Sequence, residues 1–91
     1  MDYQSRSEQW KTYQLRETPE YEKQFEKLVP DPKLRDELQR EFSIELPQDP
    51  DRFYKIPGTK LRFANVGTPP LTIFFLIHQR IITLIEIHPF K

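Results

Sequence analysis

A chain of 91 residues and 11.1 kDa is one small domain whose folding buries only about 60–65% of its unfolded surface, so its core is thin. It has no cysteine, which excludes disulfides, thiolate zinc sites and cysteine nucleophiles, while two histidines are too few for a zinc site and 13% aromatics too many for a disordered chain. The zero net charge is segregated: residues 1–52 carry nine Lys/Arg against thirteen Asp/Glu, and residues 53–91 carry Lys55, Lys60, Arg62, Arg80 and Lys91 against Glu86 alone, a basic half suited to a few phosphate contacts.

Residues 1–9 (MDYQSRSEQ) have no periodicity and are expected to form a flexible arm ahead of a single domain over residues 10–91. No basic-then-apolar leader opens the sequence, so a soluble, cytoplasmic protein is expected. Trp10 to Arg16 alternates and reads as a short strand. Thr18-Pro19 is a helix start, a capping hydroxyl followed by a residue with no N–H to leave unpaired, and Glu20 and Glu22 suit the positive end of the helix dipole. Tyr21, Phe25 and Leu28 then form one apolar stripe, predicting a helix over 19–28. Pro30 ends it, and Asp31-Pro32 begins a second helix with Leu34, Leu38 and Phe42 stepping by four. The segment Pro47 to Asp51 (PQDPD) is predicted to end that helix, leaving an antiparallel helical hairpin.

From Phe53 the apolar period becomes two. Phe53 to Ile56 is a candidate short strand before Pro57-Gly58. Lys60 to Val66 is predicted as a strand with Leu61 and Phe63 on one face and Lys60, Arg62 and Ala64 on the other. After the turn Gly67 to Pro70, Leu71 to Ile77 is apolar on both faces, the pattern of a central strand covered twice. His78-Gln79 is the predicted loop and Arg80 to Ile87 the last strand. A membrane helix over 71–87 is rejected, because His78, Gln79 and Arg80 would lie at its midpoint. The expected fold is α+β, an N-terminal strand and helical hairpin packed on a small twisted antiparallel sheet. Two short helices cover one sheet face only, so the other is expected to meet a partner peptide or a second copy in a homodimer.

The order of elements, with the landmarks YQLRETPEYEKQFEKL, KIPGTKLRF and TIFFLIHQRIITLIEIHPF, resembles the RelE/ParE superfamily of type II toxin–antitoxin toxins over roughly residues 10–90. The resemblance implies an antitoxin partner and no cofactor or metal. For RelE-like members it also implies the ribosome and mRNA as targets, with an endoribonuclease activity. That cleavage makes the RNA 2′-hydroxyl a nucleophile against the adjacent phosphate, and needs a base, cations for the phosphorane and a ring to stack the nucleotide. Carried over by position, Lys60, Arg62 and His88 are the catalytic candidates, Lys55, Arg80 and Lys91 the phosphate-binding ones and Phe90 the stacking ring. His88 qualifies because imidazole titrates near neutrality. Glu86 is read as a structural ion pair with Arg62 or Lys60, with a general base as the alternative. Pro70-Leu71-Thr72 holds no basic group where the family's nucleases usually carry an arginine. The alternative is therefore a non-catalytic module of the same fold, acting by protein contact on gyrase or an antitoxin.

Overall fold

The computed structural model describes residues 13–90, so the predicted arm, the start of the first predicted strand and Lys91 lie outside the described residues. The elements are β1 (Gln14–Glu17), α1 (Pro19–Leu28), α2 (Pro32–Gln48), a 3₁₀ turn (Pro50–Arg52), β2 (Arg62–Val66), β3 (Leu71–His78) and β4 (Ile81–Pro89). They form an α+β fold with one four-stranded sheet in the order β1-β4-β3-β2. The β2–β3–β4 meander is antiparallel, and β1 joins it parallel to β4, so the sheet as a whole is mixed. Connectivity permits the parallel pairing: β1 is separated from β4 by the rest of the domain, the long connection that parallel strands require.

Both helices start as their sequences dictate. The Thr18 hydroxyl accepts from the Tyr21 N–H at 3.2 Å and donates to the Leu84 carbonyl at 2.9 Å, so one side chain caps α1 and fastens it to β4. The Asp31 carboxylate accepts from Lys33 N–H at 3.1 Å at the start of α2. Between the helices, Arg35 donates to the carbonyls of Val29 and Pro30, at 2.8 and 3.3 Å, satisfying acceptors that α1 leaves open. The end of α2 departs from expectation: the helix runs through Pro47 to Gln48. A proline in the last turn costs only one intrahelical bond, and Leu46 beside it is fully buried.

The core lies between the helices and one face of the sheet. Tyr21, Phe25, Leu38, Phe42 and Leu46 from the helices meet Ala64, Val66, Ile73, Phe75, Ile82, Leu84 and Ile87 from the strands. Phe25 and Phe42 link the two helices with ring centroids 5.7 Å apart, and the Tyr21 hydroxyl donates to Gln39 at 2.9 Å. Burial, followed by the nearby Glu17 charge, pushes the Tyr21 hydroxyl far above its ordinary pKa, so it remains a donor. Gly67 turns the chain after β2 with φ of 98°, and a Cβ there would lie 3.0 Å from the Phe42 ring. The segment predicted as a strand at Phe53 to Ile56 makes only an isolated bridge, Lys55 to Arg62. Among the described residues no helix is long and apolar enough to cross a membrane.

Candidate functional site

Alternation places one set of strand residues against the helices and the other on an open face. On β2 and β3 the inward set is Ala64, Val66, Ile73 and Phe75, which leaves Phe63, Asn65, Thr72 and Phe74 outward. On β4 strict alternation would fail, because Ile82 and Leu84 point inward and Glu86 and His88 share their parity. The register shifts at this point: Phe75 pairs with Leu84 but Phe74 with Glu86, so Ile85 is an extra, unpaired residue. This β-bulge inverts the alternation, turning Ile87 into the core and Glu86 and His88 out to the open face. The first helix fixes the bulged stretch, since Gln24 accepts from the Ile87 N–H at 2.9 Å and Thr18 donates to Leu84 just before it.

The result is two rows of three across β2, β3 and β4, Asn65–Thr72–His88 and Phe63–Phe74–Glu86. The rings of Tyr54, Phe63, Phe74 and His88 follow one another at centroid distances of 5.4, 5.9 and 5.7 Å. His88 Nε2 lies 2.8 Å from Glu86 Oε1, and both side chains are about half exposed. The Thr72 hydroxyl donates to Asn65 Oδ1 at 2.6 Å. With Ile56, Pro89 and Phe90 at its margins, the array forms an open groove of about 700 Å³. Chemically it offers an apolar shelf for a flat ring, an imidazole held by a carboxylate, and an amide beside them.

The residues singled out from sequence distribute unevenly. His88 and Phe90 line this groove together with Glu86. Glu86 pairs with His88 and not with Arg62 or Lys60, because the bulge aims it away from Arg62. Lys60 lies outside β2, in the exposed turn that precedes it, so it shares no strand face with Arg62. Arg62 is on the helix-covered side with Ala64. Its guanidinium donates to the Phe53 and Asp51 carbonyls at 2.9 and 3.2 Å and meets the Asp51 carboxylate at 3.4 Å. Lys55 is exposed, and the Lys55–Lys60 loop adjoins the groove through Ile56, which borders both. Arg80 does not begin β4. It sits with Gln79 in the two-residue turn that joins β3 to β4, its guanidinium 6.0 Å from the Tyr13 ring. That turn is at the opposite end of β4 from His88, roughly 20–25 Å along the strand. Lys91 lies outside the described residues.

Phe63, Phe74, Asn65 and Thr72 were not singled out. The signal for Phe74 was present, because a strand apolar on both faces needs two covers and the helices supply only one. Asn65, the sole amide side chain in a run of otherwise apolar and basic residues, was a second signal. No metal-binding group of three or more His, Cys, Asp or Glu occurs among the described residues.

Neither a protein-family model nor a curated protein matches the sequence. Solved structures do match the fold. A chain of the intact E. coli RelBE toxin–antitoxin complex is similar at a TM-score of 0.62 and 14% identity, over 88% of this chain and 99% of that one. The conserved hypothetical protein HP0894 of Helicobacter pylori is similar at a TM-score of 0.61 and 18% identity, over 85% of this chain and 93% of that one. With two such similarities spanning most of its length, the chain has a RelE/ParE-like fold.

Proposed function

We propose that this chain is the toxin of a type II toxin–antitoxin pair and that it acts as a ribosome-dependent mRNA endoribonuclease, holding unpaired RNA across the open face of its sheet. The observation that carries the reading is the His88–Glu86 pair, 2.8 Å apart and set beside the ring shelf of Phe63 and Phe74. Glu86 accepts from Nε2–H and so leaves Nδ1 as the proton acceptor. A 2′-hydroxyl placed there gives its proton to Nδ1 and its oxygen attacks the adjacent phosphorus. The 5′-oxygen leaves with the proton returned by the imidazolium, giving a 2′,3′-cyclic phosphate and a 5′-hydroxyl. A base stacked on Phe63 or Phe74 fixes the in-line geometry, and Lys55 and Lys60 meet the flanking phosphates from the adjoining loop. The similarity to a chain of a toxin–antitoxin complex supports an antitoxin as partner.

One observation favours the second reading, a non-catalytic module acting by protein contact. Among the described residues no lysine or arginine lines the groove, and Arg62 is tied to Asp51 and Phe53. A phosphorane would find no cation within the groove itself. Induced expression in a bacterial host, with mRNA 5′ ends mapped in the same cultures, separates the two. Growth arrest with new ends inside translated codons, reduced about a hundredfold or more by His88→Gln in a chain that still folds, is the expected result. Arrest without new ends selects the protein-contact reading. Unaffected growth despite a folded product contradicts an active toxin of either kind and leaves a module that binds an antitoxin alone.

A further inference from the structure

Resting on the reading that the groove holds unpaired RNA, we propose that Asn65 selects the base stacked there, favouring bases that present a carbonyl, such as uracil and guanine, over adenine. The inference starts from the bond between Thr72 and Asn65. At 2.6 Å the separation fits an O–H···O bond and is short for an amide N–H donor, so the Thr72 hydroxyl donates and Asn65 Oδ1 accepts. That bond takes one lone pair of the amide oxygen and holds Oδ1 towards Thr72, which leaves the NH₂ of Asn65 as a donor for a ligand in the groove the residue lines. Thr72 is well placed to hold the orientation, because it is β-branched, sits on the central strand, and pairs with Asn65 on one side and His88 on the other.

A base lying on the Phe63 and Phe74 rings brings its edge to the neighbouring row, one side-chain repeat away along the strands. There the fixed donor meets a carbonyl of uracil or guanine, an oxygen that projects from the ring with two lone pairs. Adenine offers at N1 and N7 only recessed ring nitrogens, each with one lone pair and crowded by the N6 amino group, so the same donor makes a poorer bond. Charge complementarity supports a polyanionic strand as the occupant: Lys55 and Lys60 are exposed on the loop that shares Ile56 with the groove, and residues 53–91 carry five basic residues against one acidic. Glu86, the one acid on the groove among the described residues, is engaged by His88.

The test is fluorescence anisotropy of labelled U8 and A8 RNA with the full chain and its Asn65→Ala, Asn65→Asp and Thr72→Val variants, each verified as folded by circular dichroism. One better-made hydrogen bond predicts about a fivefold preference of the unmodified chain for U8. The preference should vanish in Asn65→Ala and shrink in Thr72→Val, where the amide is free to turn. In Asn65→Asp, an acceptor with added negative charge, both affinities fall but the ratio should invert towards A8. Equal binding of U8 and A8 by the unmodified chain, or a preference that survives Asn65→Ala, overturns base selection by Asn65 and leaves the RNA reading standing. Failure of both oligomers to bind removes the RNA reading and this proposal with it.

Discussion

Arg62 is held by three contacts that all lie on the chain just behind α2, and it is the side chain that ties the 3₁₀ turn to the first residue of β2. Its charge made it a catalytic candidate; its neighbours Ala64 and Val66, both buried, put it on the opposite face from the groove. Arg62→Ala is expected to lower stability by about 1–3 kcal/mol in chemical denaturation, by leaving the Phe53 carbonyl without its donor, while RNA affinity of the folded fraction is unchanged. Arg62→Lys should recover only part of the loss, because a single ammonium cannot reproduce the guanidinium fork. Glu17 gives a pH-dependent counterpart. Burial, a hydrogen bond shared with Glu22 and the Glu22 charge raise its pKa. The folded chain then holds this proton more tightly than the unfolded one, so the contribution of Glu17 to stability is present at acid pH and is lost as pH rises through the unfolded and then the folded value. Glu17→Gln should therefore raise the melting temperature at pH 7, with a gain that fades below pH of about 4.

At the scale of the element, β4 decides what the open face carries. The pattern RIITLIEI reads as a regular β-branched strand, and nothing in it announces that Ile85 is surplus. The bulge arises from two demands that meet there: Leu84 must stay inward beneath Thr18, and Ile87 must be inward against α1. They are three positions apart, where residues on one face of a regular strand are an even number of positions apart. Deleting Ile85 leaves every other β4 residue on its present face and should retain cooperative unfolding. Deleting Thr83 puts either Ile82 or Leu84 on the wrong face and should abolish it; thermal melts followed by circular dichroism compare the two. The first helix, by contrast, was readable to the residue from Thr18-Pro19 and the Tyr21, Phe25, Leu28 stripe, since caps and apolar spacing act locally. The end of α2 was not, because burial of Leu46 outweighs the bond lost at Pro47. His88 is a candidate through the family resemblance, but its pairing with Glu86 and the Phe63–Phe74 shelf depend on cross-strand register, which a single sequence does not carry.

At the scale of the molecule, the fold divides its labour between two faces of one sheet. The helices seal one face with aromatic and aliphatic packing, and they carry seven of the fourteen acidic residues against five basic ones. The other face carries the His88–Glu86 pair, the aromatic rings and the exposed lysines of the adjoining loop. A polyanion approaching this chain is thus drawn to the open face and repelled by the helical one, in proportion to how little salt screens the two fields. The most direct measurement is amide shift mapping of the ¹⁵N-labelled chain titrated with a short single-stranded RNA of mixed sequence at low salt. Saturable shifts confined to Phe63, Asn65, Thr72, Phe74, Glu86 and His88, with α1 and α2 unmoved, are the expected result. Shifts centred on the helices, or none on the open face at saturating RNA, would contradict the assignment of the groove as the functional site.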